Sequence, residues 1–211
     1  MHEFPTILAI ECACGPTSVA LWQNGHILDM LNDGQPNAQS AILMPMVEKL
    51  LKNTAIRYDE LSAVACSVGP GSFTGIRVGL AAAGGICFAA KKPGLGISTL
   101  ETTAYTAKDN GPYVHAILRA GKGEWYHQPF DMQNEPVAMA DIAVGLPESV
   151  IASARRDTVW AGNVTHDDID VIAAAPRADT LAMLAAEKSH HLRLTPLYIR
   201  PPDVSFPKKK L

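Results

Sequence analysis

The stretch Gly69-Pro70-Gly71-Ser72-Phe73-Thr74-Gly75 concentrates the groups from which a nucleophile or a phosphate cradle would be built. A phosphate-gripping loop of the G-x-x-x-x-G-K-[ST] kind needs a lysine to reach the phosphates. None stands between Lys52 and Lys91, so that chemistry is excluded. A serine nucleophile on a strained strand-to-helix elbow needs glycine two residues before it, and Pro70 occupies that place ahead of Ser72. Metal chemistry is no better served. Cys12 and Cys14 point the same way if they share a strand, but a zinc site needs two further nitrogen or sulfur ligands, and nothing nearby in sequence offers them. With Cys66 and Cys87 they form no C-x-x-C pair, and the reading is reduced, structural thiols. The seven histidines are scattered, and adjacent His190 and His191 point apart on a helix.

The same stretch is better read through the elements around it. Leu61 to Val68 is a short apolar run ended by a glycine-proline turn, which predicts a strand. Ser72 then caps a helix running to about Ala90. On it Gly75, Gly79 and Ala83 fall four apart, and each helical glycine costs roughly 1 kcal/mol relative to alanine. Close approach of a neighbouring element offsets such a cost, and the spacing leaves open whether that neighbour is the protein's own sheet or a helix of another chain. The uncharged run Val78 to Ala90, preceded by Arg77, is 13 residues, short of a membrane span.

Around this centre the pattern predicts a strand at Ile7 to Ala13, a second at Ser18 to Gln23, an Asn24-Gly25 hairpin turn and a third strand from His26 to Leu31. Ile42, Leu43, Met46, Val47, Leu50 and Leu51 recur at helical spacing, with Pro45 expected to kink or split that helix. Gly94 to Ile97 reads as a strand and Leu100 to Lys108 as a helix. The fold class is therefore α/β, a mixed sheet layered with helices. Asp109-Asn110-Gly111-Pro112 suggests a boundary, giving domains 1–108 and 109–211. In the second, strands are expected at Tyr113 to Arg119, Glu124 to Asp131 and Thr158 to Ala161, and helices at Pro147 to Arg156 and Thr180 to Lys188. Pro201-Pro202 and Lys208-Lys209-Lys210 read as a solvated tail.

Composition sets outer limits. The 211 residues, 47% hydrophobic and 18% charged, suffice for a sizeable core. A net charge of −3 and a pI near 6.1 give no general field for a phosphate backbone, so independent nucleic-acid binding is not expected. The start, Met1-His2-Glu3-Phe4-Pro5, lacks a basic, apolar leader, and a cytoplasmic protein is the expectation.

Gly69 to Gly79 (GPGSFTGIRVG), with Ser98-Thr99-Leu100, Arg119 to Trp125 (RAGKGEW) and Pro196 to Asp203 (PLYIRPPD), resembles the bacterial TsaB (YeaZ) family of the actin, sugar-kinase and Hsp70 (ASKHA) superfamily. The resemblance implies two ribonuclease H-like lobes, the second smaller and degenerate. It also implies a non-catalytic subunit that pairs with a TsaD-type enzyme and works with a TsaE-type ATPase in tRNA threonylcarbamoyladenosine (t6A) modification. ATP acts in that wider complex, this chain alone binds no cofactor, and tRNA is met only through the complex. Partner contacts would come from the helix after the glycine-rich turn and the helix before it: Ser72, Phe73, Gly75, Ile76, Arg77, Gly79, Leu80 and Ala83, with Met46 and Leu50. A homodimer through the same face is implied for the free protein. The alternative within the superfamily is a small kinase-like phosphotransferase.

Two departures matter. Where relatives usually hold a metal-placing aspartate this chain has Glu11, which reads either as a vestigial phosphate site or as a carboxylate facing solvent at a strand end. Where many members have His-Ala-Glu it has Asn37-Ala38-Gln39, leaving Asn37 as a helix cap. Arg77 reads as a bidentate partner for a carboxylate across the interface or as a solvated charge. Lys208 to Lys210 read as a disordered end or as a tRNA contact within the complex.

Overall fold

Residues 4–35 and 38–199 are described by the structure, a computed structural model. Asn37, Pro201, Pro202 and Lys208 to Lys210, and the expectations placed on them, lie outside the described residues.

The chain opens with β1 (Thr6–Glu11), β2 (Thr17–Gln23) and β3 (His26–Asp33), followed by α1 (Gln39–Thr54), β4 (Ala63–Gly69), α2 (Phe73–Ala90), β5 (Gly94–Ser98) and α3 (Thr99–Thr106). These form one sheet in the order β3-β2-β1-β4-β5, antiparallel across β1, β2 and β3 and parallel across β1, β4 and β5. The β2–β3 hairpin turns at Asn24 and Gly25, whose φ angles of 46° and 97° are the left-handed pair that matches the twist of the flanking strands.

Alternation along β1 divides the core. Leu8 and Ile10 join Leu43, Val47, Leu50 and Ile76 under α1 and α2. Ile7 and Ala9 face the other way, onto Leu181, Ala182 and Ala185. Pro45 does not split α1, which runs unbroken for 16 residues. Pro45 is exposed while Leu43, Met46, Val47, Leu50 and Leu51 are buried, and their burial outweighs one missing backbone bond on the solvent side. By length and composition the whole of α2, 18 residues with Arg77 among them, reaches the size of a membrane span, although its uncharged run Val78 to Ala90 is 13 residues. It nevertheless lies as a core helix across β4, with one third of it buried.

After residue 110 a second sheet forms from β6 (Tyr113–Gly121), β7 (Glu124–Asp131), β8 (Val137–Ala138), β9 (Ala143–Gly145), β10 (Val159–Gly162) and β11 (Val171–Ala173), with α4 (Pro147–Ser153) and α5 (Ala178–Glu187). Its path is β11-β10-β6-β7-β8, and β9 pairs with β7. The short strands β8, β9 and β11 carry too few residues for alternation to show in the sequence. The division at residue 108 does not separate two self-contained units. α5 packs on β1 and β2, tied by Ala178 N–H donating to Ser18 Oγ at 3.0 Å. The segment after it returns to the first sheet, where Leu192 exchanges backbone bonds with Gly96 and Leu197 N–H donates to the Val68 carbonyl.

Candidate functional site

The glycine-rich turn seats α2 against the end of β1. Ser72 caps the helix, its hydroxyl accepting from Gly75 N–H at 3.2 Å, while its own N–H donates to the Ala13 carbonyl at 2.7 Å. A methyl group at Gly75 would run into the Cys12 carbonyl. One at Gly79 would lie 3.3 Å from Cys66 Sγ and 3.4 Å from Cys12 Cβ. Gly75, Ile76, Gly79, Leu80 and Ala83 are therefore buried on the protein's own sheet, and Met46 and Leu50 of α1 are buried with them. This corrects their assignment to a partner-facing ridge: the missing side chains admit β1 and β4, not a second polypeptide.

The opposite face of α2 is exposed, and it too is built from small residues. Arg77, Ala81, Gly85 and Phe88 follow one another along it at spacings of three and four. Phe88 is 89% exposed, and nothing lies within 4 Å of where a Cβ on Gly84 or Gly85 would be. Beside this stripe Met44 of α1, Tyr58 and Asp59 of a single helical turn, and Ala81, Ala82 and Ala89 of α2 line an apolar groove of about 540 Å³. Burying a side chain such as Phe88 gains about 1.5–3 kcal/mol. Phe88 and this groove together leave apolar surface of α2 exposed to solvent.

Of the remaining residues assigned to the interface, Ser72 is exposed, Phe73 is half-buried and Arg77 is exposed. Arg77 is engaged within the chain. Its guanidinium sits 3.7 Å over the Phe73 ring and its Nε donates to the Tyr198 hydroxyl at 2.9 Å, while the Phe73 and Tyr198 rings lie 5.0 Å apart. Neither earlier reading of Arg77 anticipated this stack, because Tyr198 is remote in sequence.

Glu11 is not at a solvent-facing end; it is fully buried. Its Oε1 accepts from the backbone N–H groups of Ala13 at 2.6 Å and Cys14 at 2.9 Å, and Oε2 has no hydrogen-bond partner among the described residues. Burial pushes its pKa up to about 7, against the restraint of the Cys14 and Ala13 amides and the nearby Ser67 hydroxyl, which itself stands outside hydrogen-bond geometry. A carboxyl pinned to its own loop and half-protonated at neutrality is poorly suited to placing a metal ion. Cys12 and Cys14 are both pushed up to about 12 by burial and then by Glu11, and Cys66 well above its ordinary value; all four thiols are free. Among the described residues no three His, Cys, Asp or Glu side chains are grouped to hold a metal ion.

Phe88 and Met44 were missed in the sequence, although an aromatic among the small residues of the helix's second half was a signal for the first. In the second sheet His115 and His127 share a 3.0 Å nitrogen–nitrogen hydrogen bond, with His115 stacked 4.8 Å from Trp160. Period-2 strands gave no hint that those three rings meet.

With the geometry in hand, comparison with known proteins gives a consistent result. The family model for TsaD, tRNA N6-adenosine threonylcarbamoyltransferase, matches residues 37–185. The tRNA threonylcarbamoyladenosine biosynthesis protein TsaB of Escherichia coli (strain K12) is 37% identical over 122 residues, covering 57% of this chain. The chain spans about half the length of that relative, 52%. TsaB of Buchnera aphidicola subsp. Acyrthosiphon pisum is 32% identical over 159 residues, covering 72% of this chain and 70% of the relative. Among solved structures, YeaZ from Pseudomonas aeruginosa superposes with a TM-score of 0.81 at 27% identity, covering 92% of this chain and 99% of that one.

Proposed function

Because the chain belongs to the TsaB (YeaZ) family of tRNA threonylcarbamoyladenosine biosynthesis proteins, within the group matched by the TsaD model, we propose that it is a non-catalytic subunit that docks onto a TsaD-type enzyme and activates it. The observation that carries this reading is the exposed stripe of α2, with Phe88 standing free beside the apolar groove. Two chains of related fold can pack such a helix pair against its counterpart across a pseudo-two-fold axis, burying Phe88 of this chain. The free protein would use the same stripe to pair with a second copy. A TsaE-type ATPase would supply nucleotide turnover, tRNA would be met only by the assembled complex, and this chain would carry no cofactor of its own. The setting would be the cytoplasm.

The test is to mix the purified chain with a TsaD-type protein, with and without nucleotide, and follow co-elution. Stoichiometric association supports the reading. Failure to associate, or ATP turnover by the isolated chain in favour of a phosphotransferase, overturns it.

A further inference from the structure

Arg77 stands at the start of the outer stripe of α2 as a fixed cation without an acid to answer it. Three other arginines set the contrast. Arg57, Arg155 and Arg177 each turn Nε and Nη2 onto the two oxygens of the aspartate two residues on, Asp59, Asp157 and Asp179, at 2.6–3.2 Å. Arg155 does so with its guanidinium 4.0 Å over the Tyr113 ring, so an aromatic platform and an acid at the guanidinium edge coexist in this chain. Arg77 has the same kind of platform in Phe73 at 3.7 Å, but its Nε meets only the neutral Tyr198 hydroxyl. Among the described residues Nη1 and Nη2 have no hydrogen-bond acceptor, and no carboxylate lies within 4.0 Å of the guanidinium. Asp59, in the wall of the neighbouring groove, is already held by Arg57.

The stack restricts what can bind. Phe73 covers one face of the guanidinium and Tyr198 takes its Nε edge, so an acceptor must approach in the plane, at the Nη1–Nη2 end. The two oxygens of a carboxylate match that end, whereas a lone carbonyl or hydroxyl leaves an N–H unmatched and the charge uncompensated. A phosphate backbone matches less well, because it is held by accumulated cations and the helix carries no second one from Val78 to Cys87. Order is already in place: two rings and a hydroxyl fix a long side chain that would otherwise lose its freedom on pairing. Resting on the docking role proposed above, we infer that Arg77 selects the partner by charge. The protein face that covers α2 carries an aspartate or glutamate that pairs end-on with this guanidinium, about 16.5 Å along the helix from Phe88. Tyr198 is the positioning residue that holds the guanidinium in line for it.

The test measures the affinity of the full chain for a TsaD-type protein in the absence of nucleotide and nucleic acid. Arg77→Gln should weaken binding about 5-fold to 30-fold and flatten its dependence on ionic strength. Its melting temperature should fall by no more than about 4 °C, because the side chain is exposed. Replacing the acids of the partner's docking face by their amides, one at a time, should find one whose loss weakens the wild type by a similar factor. That same change should weaken the Arg77→Gln protein by less than about twofold. Tyr198→Phe, which keeps the ring and removes the hydroxyl, should cost about twofold to threefold in the wild type and nothing in the Arg77→Gln background. Asp203→Asn, which removes the acid nearest Tyr198 in sequence, should leave the affinity unchanged. If Arg77→Gln binds like the wild type while Phe88→Asp does not, this inference fails and the docking role stands; a chain that never associates removes both. The inference also falls if no partner acid couples to Arg77, if Asp203→Asn tightens binding, or if Arg77→Gln matters only once RNA is added.

Discussion

The two faces of α2 are made of the same residues and do opposite things. Gly75, Gly79 and Ala83 line the inner face, where absent side chains let the helix rest on Cys12 and Cys66. Ala81 and Gly85 line the outer face, where absent side chains leave open space beside Phe88. The lesson is that a stripe of small residues marks close approach without naming the neighbour. Only the surroundings of the missing Cβ distinguish a stripe already occupied from one still vacant.

The largest effect should come from forcing a side chain into the inner face. Gly75→Leu must displace the Cys12 carbonyl, and overpacking against backbone costs roughly 3 kcal/mol or more, so thermal denaturation should show a melting temperature lower by about 6–12 °C or no folded protein at all. Gly79→Leu should act in the same direction, because Cys66 and Cys12 stand where its side chain would go. A Gly79→Leu protein that melts like the wild type and only loses its partner would break the comparison.

Beneath the inner face, Glu11 provides a test by pH. Below pH 4.5 folded and unfolded chains both hold its proton. Between 4.5 and about 7 the folded chain keeps the proton while the unfolded chain releases it, so stability falls as pH rises through that window and is level above it. Glu11→Gln should abolish this fall and raise stability at pH 8 by roughly 3 kcal/mol in denaturant titrations. His115 has the opposite sign. Burial and then the neighbouring His127 hold it down to about 4, so its contribution is present above pH 6.5 and lost as pH falls through 4. In the Glu11→Gln protein, stability should therefore rise between pH 4 and 6.5.

The smallest effect sharpens the comparison most cleanly. Gly85→Ala adds a methyl group to open space and removes a flexible helical glycine, so it should stabilise by about 0.5–1 kcal/mol, whereas Gly75→Ala should destabilise. Opposite signs for one substitution ten residues apart on one helix can be read from paired melting curves.

Much of the first sheet was legible in the sequence because its signals are local. Asn24-Gly25 set a hairpin, the apolar run before Gly69 set a strand, and Ser72 set a helix start. The continuity of α1 through Pro45 was not legible, since it depends on burial summed over Leu43 to Leu51. The site was half legible. The glycine motif pointed to α2, but its inner glycines answer to residues 12 and 66, and the Arg77–Tyr198 stack joins positions 121 residues apart. The return of α5 to the first sheet was hidden for the same reason.

The central claim is that the outer stripe of α2 is the docking surface for a TsaD-type partner, and the affinity of Phe88→Asp for that partner tests it most directly. Phe88 has too little contact with the rest of the chain for the substitution to lower the melting temperature appreciably. The account predicts an affinity loss of at least about 30-fold, the ~2 kcal/mol of a binding hot spot. A Phe88→Asp protein that binds the partner as tightly as the wild type would contradict it.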